Sequence, residues 1–289
     1  MNYEKKVDRR KKYYLILDCE TATLPCAENY GAEEKKTIAI AKPLIYDLGW
    51  QIIDRKGKVY SRKSYLISEI FSVPSIFNTA YYSSKRPIYL DRLAKNETVL
   101  TDWKTATADL VTDMEKVESI GAYNSMFDFK KAIPFTELYI NKLYSQDYYE
   151  WEIMQTAICE HIAKGNYSTK SSKNFEHDLF RFRGKEYPLF DIWGLSCQHI
   201  LNNNEYKQTC IDNSWQTASG KYFKTSAETC YRFFKGNNDF EESHTAIDDS
   251  IIESELFTEI LKRTNNNFAM GITYFPFRIL GKVEEFSSP

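Results

Sequence analysis

Short apolar runs predict three strands near the start of the chain. Residues 13–17 form a continuous apolar run after a charged leader, which is typical of a buried strand ending at Asp18. Residues 44–53 and 59–67 are strand-like and are separated by a five-residue polar turn around Gly57, which predicts a hairpin. The N-terminal part therefore predicts a meander of three strands.

The remainder of the chain alternates between helical and strand-like segments. In order, the patterns predict a helix over residues 103–117, a strand over 120–123 and a helix from Ser125 that is disturbed at Pro134. A strand over 189–192 and a helix over 193–202 follow. The next helix begins at the capping-box pair Thr225 and Glu228 and ends at Gly236, and the last helix covers 246–263. This order predicts an α/β fold with a mixed five-stranded sheet and helices on both faces.

No internal repeat and no linker divides the sequence. We therefore expect one domain over residues 1–289, with a core of about 13–262 and a tail of 263–289. Two stretches without a clear period, residues 21–43 and 139–187, are predicted to be insertions.

Composition and charge restrict the classes of protein. The hydrophobic share of 43%, with 18 Phe and 21 Tyr, excludes a disordered chain or a coiled coil. A net charge of −2 predicts no uniform attraction to nucleic acid, so binding of a polyanion would need local basic patches or bound cations. No apolar stretch approaches about 18 residues, so we expect no membrane partner. The six cysteines form no C-x-x-C pair, and together with the missing secretory signal this predicts a cytoplasmic protein without a zinc site.

The Asp18-Cys19-Glu20 triplet places two carboxylates at the predicted end of the first strand. Residues two apart on a strand share a face, so both side chains would project from one point of the sheet edge. Two anions there repel each other unless a divalent cation binds between them. The motif alone is weak, because D-x-E occurs twice more in the chain, and a solvated strand end is the plainer interpretation.

Two further motifs follow predicted strands or open helices. Asn124-Ser125-Met126-Phe127-Asp128 comes after the fourth strand, where an acid in the first helical turn also favours the helix dipole. His244 precedes the last helix and has Asp249 five residues on, although a lone histidine there is more often a surface or capping residue. Helical geometry turns Asp249 toward the apolar side and Asp248 toward solvent.

Taken in order, the three motifs resemble the DEDDh exonucleases, the branch of the ribonuclease-H-like superfamily that includes the proofreading subunit of bacterial DNA polymerase. The resemblance covers Tyr13 to about Leu261 and is specific only near the motifs. It implies a ribonuclease-H-like sheet and a 3′→5′ exonuclease that releases 5′-mononucleotides. The tyrosine-type sister enzymes carry Tyr four residues before the final Asp, where this chain has Thr245.

The resemblance also implies the roles of the site residues. Asp18, Glu20, Asp128 and Asp249 are expected to hold two Mg²⁺ or Mn²⁺ ions, with His244 as general base at a pKa near its ordinary value of about 6.5. For substrate binding, the resemblance implies that Thr21 and Ala22 offer backbone N–H groups to the 3′ hydroxyl. Leu24 and Phe127 are expected to pack on the terminal base, with Asn124 beside them, and ordinary core packing is the alternative for Leu24 and Phe127.

The sequence leaves the substrate and the partners open. We expect nucleic acid with a free 3′ end and favour single-stranded DNA, because the long insertions are unlike the compact enzymes that trim RNA ends. An exoribonuclease is the first alternative, and a non-catalytic nucleic-acid-binding module is the second. A polymerase or repair partner, or a stand-alone enzyme of a phage or mobile element, would each fit this size.

Overall fold

The apolar runs of the sequence form the strands of one mixed sheet. The computed structural model describes residues 12–24, 30–145 and 179–287. The strands are β1 (Tyr13–Ala22), β2 (Leu44–Asp54), β3 (Val59–Ile67), β4 (Val99–Thr101), β5 (Ser119–Ala122), β6 (Leu179–Phe182) and β7 (Lys185–Asp191). Their order across the sheet is β4-β3-β2-β1-β5-β7-β6.

The middle five strands of this sheet are the five that the sequence predicts. β1, β5 and β7 run parallel, while β2 lies antiparallel to both β1 and β3. Two edge strands were not predicted, because β4 has 3 residues and β6 has 4, which is too short for a periodic signal. The α/β class and the mixed sheet are confirmed, with seven strands in place of five.

Helices cover both faces of the sheet, as predicted. They are α1 (Ala32–Ala41), α2 (Ser68–Phe71), α3 (Pro74–Phe77), α4 (Arg86–Ala94), α5 (Trp103–Met114), α6 (Ser125–Phe127), α7 (Ile133–Leu143), α8 (Ile192–Ser196), α9 (Asn204–Asp212), α10 (Ala227–Lys235), α11 (Ala246–Arg263) and α12 (Val283–Ser287). β1 is buried on both sides: Leu15 and Leu17 join the core that contains α5 and α7, and Tyr14 and Ile16 join the core that contains α8 to α11. The long helix α11 belongs to the second of these cores and so packs on the face of the sheet that carries Tyr14 and Ile16.

Two predicted helix features differ in detail from the structure. The irregularity after Ser125 is a π-helical turn over Asp128–Ala132, and it lies before Pro134, which sits in the first turn of α7, where a missing N–H costs nothing. The N-cap of α10 is Ser226, whose Oγ accepts from the backbone N–H of Thr229 at 3.3 Å, so the predicted capping box at Thr225 is wrong. Gly236 ends α10 with a φ of 62°, as predicted.

The predicted insertions contain part of this secondary structure. β1 runs on to Ala22, and α1 lies within residues 21–43. The second insertion, 139–187, begins inside α7 and ends inside β7, and residues 146–178 lie outside the described part of the chain. No helix among the described residues is long and apolar enough to cross a membrane. The single domain over residues 1–289 stays a prediction.

Candidate active site

The first two carboxylates lie where β1 extends beyond its neighbour β5. Pairing with β5 involves only Tyr14 to Ile16 of β1, whereas pairing with β2 continues to Ala22. The prediction that the strand ends at Asp18 is therefore wrong, because β2 holds β1 in strand geometry four residues further. Asp18 and Glu20 lie along an edge of β1 that is open on the β5 side.

Asp128 reaches this edge from the turn after β5. It begins the π-helical turn and is 3% exposed. The Cys19 thiol donates a hydrogen bond to Asp128 Oδ1 at 3.0 Å, which fixes the carboxyl group beside β1. Burial raises the pKa of Asp128 to about 7 and also raises the pKa of the thiol, which keeps Cys19 a hydrogen-bond donor at neutral pH.

Asp249 comes from the first turn of α11 and lines the same pocket. It is 8% exposed, and its Oδ1 has no hydrogen-bond partner among the described residues. The neighbouring Asp248 does not face open solvent as expected from the helical phase. It forms an ion pair with Arg92 of α4 and accepts a hydrogen bond from Ser243 Oγ at 2.7 Å, because α4 packs across the start of α11.

Three residues of β2 hold the start of α11 against the sheet. Gly49, opposite Asp18 in the ladder, has no side chain, and a Cβ there would lie 2.4 Å from the backbone N of Ile247. Asp47, opposite Glu20, accepts a hydrogen bond from the backbone N–H of Ala246 at 2.8 Å and so caps the helix. Gln51 Nε2 donates to the Ser250 carbonyl at 2.9 Å, two residues further along β2. Sequence reasoning missed these contacts, although an Asp within the apolar run of residues 44–53 was a usable signal.

His244 precedes α11 in a strained and well-anchored loop. Its φ of 52° lies in the left-handed region, which is uncommon for a residue with a side chain. The imidazole stacks on the Tyr82 ring, with centroids 4.1 Å apart and planes 12° apart. The Lys85 ammonium donates to the Ser243 carbonyl, and the Tyr89 hydroxyl donates to the His244 carbonyl at 3.4 Å. The segment before and within α4 thus holds the histidine loop in place.

The pKa of His244 differs from the ordinary value that was expected from the sequence. Burial, followed by the nearby Lys85 ammonium, lowers the pKa of His244 below its ordinary 6.5, so the expected ordinary value is corrected downward. Its Nδ1 lies 3.8 Å from Glu242 Oε2. Ring and carboxylate donor atoms of Glu20, His244 and Asp249 lie within 4.8 Å of one another. A neutral imidazole therefore sits directly beside two carboxyl groups.

The pocket formed by these elements is dominated by acidic groups. Its lining consists of Asp18, Cys19, Tyr123, Asn124, Phe127, Asp128, Ala227, Glu242, Asp249 and Glu253. Burial is the first cause that raises the pKa of Asp18 and of Glu20, and neighbouring carboxylates raise it further. Burial also raises the pKa of Asp249 to about 8. Clustered carboxylate oxygens fit hard divalent cations such as Mg²⁺ or Mn²⁺, and two of them, Asp249 Oδ1 and Glu242 Oε1, have no hydrogen-bond partner among the described residues.

The residues expected to bind substrate are divided between the pocket and the core. Asn124 is exposed and Phe127 is half-buried, and both line the pocket. Thr21 is half-buried and pairs with β2 in the ladder, as does the buried Ala22. Leu24 is 3% exposed and belongs to the hydrophobic core, in line with the core-packing alternative.

Sequence reasoning also missed two acidic residues of the pocket and the aromatic partner of His244. Glu253 and Glu242 line the pocket, and Tyr82 stacks on the histidine. Glu253 lies four residues after Asp249, so the helical period that selected Asp249 also places Glu253 on the same face. No local pattern indicates Tyr82, because its contact with His244 joins segments that are far apart in the sequence.

Comparisons with known proteins give structural likeness only. No protein-family model and no curated protein matches the chain. One similar solved structure is described as the 3′-end specific recognition of a histone mRNA stem-loop by a 3′-exonuclease, with 8% identity over 89% of this chain and 83% of that chain, and a TM-score of 0.37. Another is cell-death related nuclease 4, with 8% identity over 91% of this chain and 67% of that chain, and a TM-score of 0.36. At these values the function has to be argued from the site itself.

Proposed function

We propose that the protein is a metal-dependent 3′→5′ exonuclease that removes 5′-mononucleotides from the 3′ end of DNA, with single strands preferred. The observation that carries this proposal is the pocket where β1 leaves β5. There Asp18, Asp128 and Asp249 are packed together, Asp249 has an unpartnered oxygen, and the imidazole of His244 is adjacent. Buried like charges at this density are unfavourable without cations, so a structural role alone does not account for them.

Each residue of the pocket has a part in phosphodiester hydrolysis. Two bound divalent cations would supply positive charge at the phosphate and acidify a water molecule. Asp18 would contact both ions, Glu20 and Asp249 would complete the site on the water side, and Asp128 would serve the other ion. The proton transfer and the binding of the substrate would be carried out by other side chains of the protein.

His244 is the general base in this mechanism. It takes a proton from the water whose oxygen attacks phosphorus, the bond from phosphorus to the 3′ oxygen of the penultimate nucleotide breaks, and that oxygen acquires a proton. The released nucleotide keeps its 5′ phosphate. The lowered pKa of His244 keeps the imidazole neutral at pH 7, as a base must be, and Tyr82 fixes the plane of the ring.

The terminal nucleotide binds beside the carboxylates in this proposal. Phe127, half-buried in the pocket wall, offers an apolar surface that any base can contact, and Asn124 offers an amide at the rim. Thr21 and Ala22 are proposed to contact the 3′ hydroxyl through backbone N–H groups, near the end of the β1–β2 ladder. Leu24 lies in the core just after β1, and no contact with the base is assigned to it.

The test uses end-labelled oligonucleotides with Mg²⁺, Mn²⁺ or excess EDTA. We expect stepwise shortening of single-stranded DNA from the 3′ end, slower shortening of duplex DNA, and no reaction with EDTA, with a 3′ phosphate or with Asp18→Ala. Shortening of RNA alone would assign the chain to the exoribonucleases. Cleavage of circular single strands, or full activity of Asp18→Ala with Mg²⁺, would contradict the proposal.

A further inference from the structure

Glu253 is a fifth carboxyl group in a pocket where the motifs account for four. It lies one helical turn after Asp249 in α11, is 3% exposed, and lines the pocket together with Asp18 and Asp128. Glu253 therefore faces the same pocket as the carboxyl group at the centre of the proposed site.

The surroundings of Glu253 contain little that would stabilise a negative charge. Its Oε2 accepts a hydrogen bond from the backbone N–H of Tyr123 at 3.1 Å. The pocket that it lines contains the further carboxyl groups of Asp18, Asp128, Glu242 and Asp249. A purely structural acceptor for the Tyr123 N–H needs no charge, since a glutamine would accept the same hydrogen bond without desolvating an anion.

A second observation indicates that this pocket is built for a ligand. Asp249 is more than nine-tenths buried, and its Oδ1 faces the pocket without a hydrogen-bond partner among the residues that the structure describes. Buried polar atoms are rarely left unsatisfied unless an ion or a ligand completes them. Divalent cations bound in this pocket would also give Glu253 the opposite charge that its surroundings lack.

We propose that Glu253 supplies an oxygen ligand to a divalent cation that Asp18 and Asp128 hold, and so extends the metal site beyond the three sequence motifs. The inference rests on the proposed function, because the cations are those of the proposed nuclease. It also goes beyond it, because the exonuclease resemblance assigns no role to this position. The ligand class is a hard divalent cation such as Mg²⁺ or Mn²⁺.

Glu253→Gln separates a metal ligand from a structural acceptor. The amide keeps an acceptor for the Tyr123 N–H and removes the charge. In titrations of the full chain with Mn²⁺, followed by electron paramagnetic resonance of the free ion, we expect affinity for one ion to fall roughly 10–100-fold. In EDTA, we expect a higher melting temperature than for the wild type, since one like charge is gone from the pocket. Glu255→Gln is the control, because Glu255 lies on the same helix but pairs with Lys235 at the surface.

The outcomes distinguish the two proposals. If the wild type binds no Mn²⁺, the metal-dependent nuclease fails as a whole. If the wild type binds Mn²⁺ and Glu253→Gln binds it equally well, with the same melting temperature in EDTA, only the role of Glu253 is overturned. Circular dichroism of both variants at 20 °C (roughly the temperature of maximum stability) checks that a lost ion does not reflect a lost fold.

Discussion

Asp249→Asn is expected to stabilise the metal-free protein while removing its activity. In the folded chain, burial and then the charge of Glu242 raise the pKa of Asp249 to about 8, against an ordinary value of 3.8. A raised carboxyl pKa means that the folded state resists ionisation of this group. The free energy of unfolding therefore falls as pH rises from about 4 toward 8, and asparagine escapes this loss.

The size of the effect follows from the difference in pKa. At pH 7 the folded group is still mostly protonated, whereas the unfolded group has been ionised over about 3 pH units, each equivalent to about 1.4 kcal/mol. The resulting cost is about 4 kcal/mol. This is an upper limit, because the repulsion that raises the pKa of Asp249 is shared with the neighbouring carboxyl groups. A gain of up to about 4 kcal/mol corresponds to a melting temperature up to roughly 8 °C higher.

Thermal unfolding in EDTA from pH 4 to pH 8 measures this gain. The advantage of Asp249→Asn should be small near pH 4, where the folded aspartate is protonated and the unfolded one is about half protonated, and it should grow with pH. Adding Mn²⁺ at about 100 times its dissociation constant should raise the free energy of unfolding of the wild type by about 2.7 kcal/mol, and that of the variant by much less. Asp248→Asn is the matched control: it loses the ion pair with Arg92 and should melt below the wild type. A melting temperature of Asp249→Asn below that of the wild type at pH 7 in EDTA would refute the reasoning.

Two further substitutions test the contacts that position the site. Gly49→Ala would place a Cβ 2.4 Å from the backbone of α11, so the start of the helix must move. We expect kcat to fall roughly 100-fold. Gly31→Ala is the control and should keep kcat, because its Cβ would meet only the end of a glutamate side chain at 3.2 Å. Tyr82→Leu removes the ring stacked on His244 and should lower kcat up to about 10-fold, whereas Tyr82→Phe should keep it. Equal kcat for the leucine and phenylalanine variants would exclude stacking as the reason.

The parts of the fold that could be predicted are those with a strong local period. α11 runs over Ala246–Arg263 as its amphipathic pattern predicts, and the three N-terminal strands follow their apolar runs. The end of β1 was misplaced, because its last residues are held by pairing with β2 and not by their own apolar pattern. The short edge strands β4 and β6 were missed for the same reason: neighbouring strands define them.

The candidate site shows the same division between local and distant signals. The helical period alone placed Asp249 on the inward face of α11. Continuing the same period for one more turn would have placed Glu253 on that face as well. Asp47 and Gly49 act through contacts with residues about 200 positions away, and such contacts leave no periodic trace in either segment. The lowered pKa of His244 likewise depends on burial by packing that only the folded chain has.

The candidate site combines residues from near both ends of the described chain, so it can form only late in the synthesis of the protein. β1 contributes Asp18 and Glu20 early, while His244 and Asp249 arrive with α11 more than 200 residues later. A growing polypeptide on the ribosome thus lacks the base and one of the carboxylates until α11 has emerged and docked on β2. The proposed metal site is therefore complete only after most of the described chain has been synthesised.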